Sequence, residues 1–256
     1  MRVLVFGASG RMGTTVCEAI VADAELELVA GVDPRAGPST PRDGDAITVA
    51  VAVDHVDPAS VDVAVDFTVA SAARENLEWC AANGVHAVCG TSGLDADDYE
   101  RCRLAFGASN CVIAPNFAIG AVLMMRFAAM AAPYFPTAEV IELHHDNKID
   151  APSGTAVQTA RSMAEASSDW VPDPTRDEVL AGARGAAGPG GIHVHSVRLR
   201  GLIAHQQVML GAAGETLTIR HDSLDRASFM PGVVLACKTI ADHPGVTIGL
   251  DALLGL

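Results

Sequence analysis

A five-residue apolar run, Arg2-Val-Leu-Val-Phe6, passes directly into Gly7-Ala-Ser-Gly10-Arg-Met-Gly13 and then into a helical pattern through Val21. No other stretch constrains the fold as strongly. A strand that ends in a glycine turn and continues as a helix is the context a phosphate-binding loop requires. The spacing is Gly-x-x-Gly-x-x-Gly, not the commoner Gly-x-Gly-x-x-Gly, so the motif alone is only moderately specific. The second apolar strand, Leu26 to Val32, ends at Asp33, 20 residues after Gly13. An acid near that distance accepts hydrogen bonds from an adenosine ribose. Asp33 disfavours a 2′-phosphate, whereas Arg35 or Arg11 is placed to accommodate one. The choice between NADH and NADPH stays open.

Residues 61–67, 86–90 and 111–115 are short β-rich runs separated by helical stretches at 70–83 and 95–106. That alternation predicts an α/β fold with a Rossmann-like, doubly wound parallel sheet. Ligands of such sheets lie outside the carboxyl ends of the strands, so the turns Gly90-Thr-Ser-Gly93 and Ala114-Pro-Asn-Phe117 are expected to face the cofactor.

The pattern changes after residue 117. A helix at 119–132 leads to an alternating strand, Ala138 to His144, and another helix follows from Thr155. A segment rich in Pro, Asp and Gly spans 168–191, and strand-like runs follow at 192–200, 205–212 and 215–221. Consecutive strands joined by short turns predict a second α+β domain with a mixed or antiparallel sheet. The helical stretch 229–241 is expected to return to the first domain. The expected division is therefore 1–118 plus 228–256 for the dinucleotide-binding domain and 119–227 for substrate binding and oligomerisation.

Composition removes several function classes. Half the residues are apolar and 19% are charged, which is globular. A formal net charge of −14 argues against nucleic-acid or anionic-membrane partners. The longest apolar stretch, residues 118–133, is interrupted by Arg126 and is too short to span a bilayer. The six cysteines show no Cys-x-x-Cys pair and no zinc spacing. Reduced core thiols and an N-terminus without signal-peptide organisation predict a cytoplasmic protein.

The chemistry concentrates in residues 142–155, Glu-Leu-His-His-Asp-Asn-Lys-Ile-Asp-Ala-Pro-Ser-Gly-Thr. Only two lysines exist, Lys148 and Lys238, and one of them sits beside His144 and His145. Polar residues just past a strand often do no more than meet water, but two histidines, a lysine and a helix cap together favour function. Adjacent strand residues face opposite sides, so the two histidines do different jobs unless the strand has ended. Pro152 suits the start of a new element. Ser153 reads as the N-cap, and Gly154 and Thr155 supply N–H groups at the positive end of a helix dipole. Such a terminus binds carboxylate or phosphate, and Gly154, lacking a Cβ, lets a ligand approach the backbone.

Together these residues resemble the dihydrodipicolinate reductase family over essentially the full length. The marks are Gly7 to Gly13, Gly90-Thr-Ser-Gly93, Ala114-Pro-Asn-Phe-Ala-Ile-Gly120, residues 142–156 and Gly214 to Arg226. The fourth is highly specific; the first is shared with many nucleotide-binding folds. Ser92 departs from the family's usual threonine but keeps the hydroxyl. The resemblance implies a two-domain homotetramer that uses NADH or NADPH to reduce a small cyclic dicarboxylate in diaminopimelate and lysine biosynthesis. It further implies that His144 is the acid/base residue and Lys148 the proton donor. His145, Ser153, Gly154 and Thr155 would hold the substrate. Gly7, Ala8, Ser9, Gly10, Arg11, Met12, Asp33, Gly90, Thr91, Ser92, Ala114, Pro115, Asn116 and Phe117 would contact the cofactor.

Three rivals are weaker. A short-chain dehydrogenase needs Tyr-x-x-x-Lys, but Tyr99 and Tyr134 are followed four residues later by Arg103 and Ala138. A non-catalytic NAD(H)-binding redox sensor has no use for His144, Lys148 and the anion-binding turn. His193 and His195 share a strand face, yet no third ligand at a matching offset is evident. The expectation is therefore that no metal is bound.

Overall fold

The computed structural model describes residues 1–35 and 49–256. In chain order the elements are β1 (Arg2–Phe6), α1 (Arg11–Ala22), β2 (Glu27–Val32), β3 (Val49–Ala50), β4 (Val63–Asp66), α2 (Ala70–Ala82), β5 (His86–Cys89), α3 (Ala96–Ala105) and β6 (Cys111–Ile113). They continue with α4 (Ile119–Ala131), β7 (Thr137–His144), α5 (Gly154–Ala166), β8 (Ala186–Ala187), β9 (His193–Arg198), β10 (Ala204–Ala212) and β11 (Glu215–Ser223). The last two are α6 (Met230–Thr239) and β12 (Val246–Ile248). Two compact units result, Met1–Phe117 with Phe229–Leu256, and Ala118–Ser228.

The first unit is built on a seven-stranded sheet of order β12-β6-β5-β4-β1-β2-β3, parallel throughout. Reversal of the strand order about β1 makes it doubly wound and Rossmann-like. Val3 to Phe6 are at most 2% exposed, as expected where a parallel sheet is covered on both faces. Helix α1 buries Gly13, Val16, Cys17 and Ile20, one stripe at helical spacing. The second unit carries a mixed sheet of order β11-β10-β7-β9-β8, with β7 and β9 parallel and its other pairs antiparallel. Its core joins Val140, Val194, Val208 and Leu210 of the sheet to Ala128 of α4 and Ala156, Ala160 and Met163 of α5.

The departures from the sequence reading are short elements. β3 and β12 have two and three residues, too few for a period to register. Two residues of the loose segment 168–191 pair as β8. The helix expected to Ala132 ends at Ala131 and tightens into a 3-10 turn, Ala132–Tyr134, containing Pro133, which has no N–H to donate.

All six cysteines are buried and free of disulfides. Burial pushes the thiols of Cys17, Cys89 and Cys237 up to about 12, so they behave as core atoms. Among the described residues no helix is long and apolar enough to cross a membrane.

Candidate active site

In the first unit, the residues expected at the cofactor follow the carboxyl ends of neighbouring strands. Gly7 N–H donates to Val32 O at 2.7 Å, Gly90 N–H to Asp66 O at 2.9 Å, and Ala114 N–H to Cys89 O at 3.0 Å. These bonds tie the turns after β1, β5 and β6 to the adjacent strands along one edge of the sheet. Gly7 has φ +69°, a conformation that side chains other than glycine's rarely adopt. A Cβ on Gly13 would lie 2.0 Å from Gly7 O, so α1 abuts the turn only because Gly13 has none. Gly10 caps α1 without a side-chain hydrogen bond, and the first-turn N–H groups, Arg11 and Met12 among them, are presented as an anion site. This fits the diphosphate of a dinucleotide.

Side chains contribute less here. Ala8, Thr91, Ala114 and Phe117 are buried; Ser9, Arg11, Ser92 and Pro115 are exposed, while Gly10, Met12, Gly90 and Asn116 are intermediate. Phe117 stacks at a tilt on Phe67, 5.4 Å between centroids, which leaves its backbone rather than its ring for a ligand. Asp33 is buried: one carboxylate oxygen accepts from Ser9 N at 3.2 Å and the other from Arg35 N at 2.9 Å. It buttresses the glycine turn in addition to any contact with ribose.

Sequence reasoning missed Asp66. This buried carboxylate accepts from Thr68 N, Thr68 Oγ1, Asn76 Nδ2 and Thr91 Oγ1 at 2.7–2.8 Å. One side chain thus orders the turns after β4 and β5. The signal was present as an acid ending an apolar strand, as Asp33 does.

The second unit gathers titratable side chains and a helix start in one segment. β7 ends at His144, so His145 already belongs to the turn that Lys148 N closes on His145 O at 3.2 Å. The Lys148 ammonium donates to both carboxylate oxygens of Asp150 at 2.8 Å. That ion pair holds the Asp150 carboxyl below its usual range. The Ala151–Pro152 peptide is cis. Ser153 caps α5, its Oγ accepting from Ala156 N at 3.2 Å, as its position predicts. Its hydroxyl is therefore spent on the turn. Gly154 is exposed and Thr155 half-buried, and a Cβ on Gly154 would meet no protein atom.

His144 is tied to a second missed carboxylate. Its Nδ1 lies 2.5 Å from Glu142 Oε2, and Glu142 is completely buried. Arg198 grips both oxygens of Glu142 at 2.8 and 2.9 Å, and Ser153 N approaches Oε1 at 3.3 Å. Burial drives the Glu142 carboxyl up, but hydrogen bonds from Arg198, Ser196 and His144 outweigh it and hold the group below its usual range. Burial lowers the His144 imidazole; Glu142 opposes that, and the charges of Lys148 and Arg198 reinforce it. Glu142 was readable as the residue two before His144 on the same strand face. Arg198 was not, because it arrives through the parallel register that sets His144 opposite Arg198.

His193 and His195, for which no sequence offset offers a partner, do meet carboxylates in the structure. Both are half-buried, His195 Nε2 lies 2.7 Å from Glu139 Oε2, and His193 Nε2 lies 3.2 Å from Asp173 Oδ2. Arg184 bridges the two acids. Those acids come from a neighbouring strand and a distant loop, so no sequence offset reveals them. Among the described residues no group of three or more His, Cys, Asp or Glu is arranged to hold a metal.

Two family models match the chain: dihydrodipicolinate reductase N-terminus over residues 1–117 and dihydrodipicolinate reductase C-terminus over residues 120–254. A 4-hydroxy-tetrahydrodipicolinate reductase of Cutibacterium acnes is 49% identical, covering 100% of this chain and 99% of that protein. One of Mycobacterium marinum is 48% identical, covering 100% of both. The solved structure of dipicolinate-bound dihydrodipicolinate reductase from Paenisporosarcina sp. TG-14 superimposes with a TM-score of 0.86 at 39% identity, covering 98% of each chain.

Proposed function

The chain belongs to the dihydrodipicolinate reductase family, and from that premise we propose how its residues divide the work. It is an oxidoreductase, a 4-hydroxy-tetrahydrodipicolinate reductase that uses NADH or NADPH and acts in diaminopimelate and lysine biosynthesis. Its substrate is a small cyclic dicarboxylate, 4-hydroxy-tetrahydrodipicolinate or the dihydrodipicolinate formed from it by loss of water, and its product is tetrahydrodipicolinate. When bound, the reduced nicotinamide supplies the hydride.

The observation that carries the division of roles is one short segment of the second unit. There His144 and Lys148 stand at a strand end, immediately before the Ser153-capped start of α5. Reduction of the unsaturated ring requires a proton as well as a hydride, and a positioned ammonium or imidazolium delivers it while stabilising developing negative charge. Lys148 is the donor. Its bond to Asp150 does not oppose this: the Asp150 side chain is 59% exposed, and such pairs are worth about 0–1 kcal/mol. Lys148 can therefore exchange Asp150 for the substrate at little cost. His144 is the acid/base residue. Gly154 and Thr155 at the helix start, with His145, hold the carboxylates, and Ser153 shapes the turn that presents them. In the first unit the glycine turn holds the diphosphate, Asp33 faces the ribose, and the turns at Gly90–Ser92 and Ala114–Phe117 complete the cofactor site.

The enzyme acts as a cytoplasmic homotetramer. Ile141, Leu143 and Met209 alternate with the buried Val140, Glu142, Val208 and Leu210, so they point to the opposite sheet face, a surface suited to a second copy. Light scattering should return the mass of four chains.

The test is oxidation of NADH and of NADPH, followed by absorbance, with the freshly made condensation product of pyruvate and aspartate semialdehyde. Turnover with either coenzyme is expected; absence of turnover with both would leave only the sensor.

A further inference from the structure

We infer that Glu142 is the positioning residue for His144, with Arg198 as its anchor, and that the pair fixes which imidazole nitrogen faces the substrate. This rests on the reading of His144 as the acid/base residue. The geometry leaves the Glu142 carboxylate little freedom. It is fully buried, Arg198 donates to each oxygen, and Oε2 also faces His144 Nδ1 at 2.5 Å. Arg198 Nη2 also donates to Asp150 O at 2.7 Å, so one guanidinium braces both the carboxylate and the loop that carries Lys148. A fork of this kind holds a planar carboxylate in one orientation, which a lysine would not do.

A carboxylate kept ionised by Arg198 can only accept. The proton on the ring must therefore sit on Nδ1, and Nε2 keeps its lone pair. The main influences on His144 agree with this. Glu142 on its own strand favours a proton, while Lys148 in the following loop and Arg198 on β9 disfavour a second one, and burial is the largest influence against the charged ring. In the resting enzyme His144 is thus a neutral acceptor at Nε2. Its part in the reaction is to take a proton from solvent at Nε2 and pass it on to replace the one Lys148 has given to the reduced ring, with Glu142 stabilising the imidazolium while it exists. An oriented carboxylate behind a histidine serves hydrolytic triads in the same way. Lys148, in contrast, begins the cycle charged and gives its proton up.

The test combines variants with a measurement on the unaltered protein. Glu142→Gln keeps the shape but can present an amide N–H to Nδ1, favouring the wrong tautomer. We expect kcat to fall about 10²–10⁴-fold with the Michaelis constant for NADH unchanged. Loss of the carboxylate's charge also lowers the imidazole pKa. The low-pH limb of the activity profile, where His144 becomes protonated, should therefore move to lower pH. In a His144→Ala background the same substitution should cost less than about twofold, since it acts through the missing ring.

Should Glu142→Gln fail to fold, the ¹⁵N spectrum of the wild-type His144 ring decides: a proton on Nδ1 is expected, and one on Nε2 would overturn the inference. If His144→Ala is inactive while Glu142→Gln turns over normally, Glu142 is structural and the inference alone fails. Normal turnover by His144→Ala removes the reading of His144, and the inference with it.

Discussion

The glycine turn proposed for the cofactor and the loop proposed to deliver the proton are made of opposite materials. In the first, most of the work is done by backbone: N–H groups at the start of α1, a turn that needs φ +69° at Gly7, and a helix allowed close by the missing Cβ of Gly13. In the second it is done by side chains that titrate or carry charge, His144, Lys148, Glu142, Arg198 and Asp150, each held by another. A backbone site is damaged by adding atoms, and a side-chain site by removing them. Binding a diphosphate needs fixed dipoles; moving a proton needs groups whose charge can change.

The largest expected effect follows from the second half of that contrast. Lys148→Met and His144→Ala should each lower kcat by about 10²–10⁴-fold while NADH binds normally, as equilibrium fluorescence titration would show. If the two form one proton-delivery unit, the double variant should be little worse than the poorer single one. Multiplicative losses would separate their roles, and near-normal turnover in Lys148→Met would end its assignment as donor. Stability should respond unequally. The two side chains are similarly covered, 20% exposed for Lys148 and 16% for His144, but Lys148 pairs with the exposed Asp150 whereas His144 packs on a completely buried carboxylate. Its removal should therefore cost more than the few tenths of a kcal/mol expected at a surface position.

The converse experiment adds an atom to the first unit. Gly13→Ala places a Cβ 2.0 Å from Gly7 O, and the neighbour is backbone, which cannot rotate away. We expect a loss of about 1–3 kcal/mol in stability, as for overpacking, and weaker binding of both coenzymes. The Gly154→Ala counterpart meets no protein atom. It should leave the melting temperature within about a degree or two and affect only the substrate's Michaelis constant. Equal damage by the two substitutions would break the comparison.

The same contrast explains what the sequence revealed. Glycine spacing after a strand is a local pattern with a steric cause, so Gly7 to Gly13 could be read directly. Continuous apolar runs disclosed the parallel strands for a similar reason. His144, Lys148 and the Ser153 cap were visible because unusual residue types crowd into one segment. What stayed hidden depends on register. Arg198 reaches Glu142 only because β7 and β9 pair in parallel, and Asp66 gathers donors from three separate positions. Glu139 and Asp173 meet their histidines by the same non-local route. β3 and β12 escaped through brevity.

Smaller effects probe binding rather than chemistry. Thr155→Val removes a hydroxyl at the start of α5, where it should hold substrate and transition state alike. A hydrogen bond to a charged group is worth about 1.5–3 kcal/mol, so the Michaelis constant for the dicarboxylate should rise by about tenfold or more with kcat little changed. Collapse of cofactor binding instead would mean that the turn serves the other ligand.

The finest test falls on Asp33, whose proposed cofactor-side role rests on its side chain's charge. Its carboxylate is buried and already accepts from Ser9 N and Arg35 N, so it can act as a buttress, as a reader of the ribose, or as both. Removing a buttress weakens both coenzymes alike, because NADH and NADPH share the diphosphate that the turn is proposed to hold. Removing a reader acts on one: the ribose of NADH loses an acceptor, and the 2′-phosphate of NADPH loses a repulsive neighbour. Asp33→Ala should therefore raise the Michaelis constant for NADH more than that for NADPH, shifting their ratio by a few-fold to about tenfold, ~1.4 kcal/mol at most. Steady-state kinetics with each coenzyme would measure it. Equal increases would assign Asp33 wholly to the backbone side of the comparison, holding Ser9 in place.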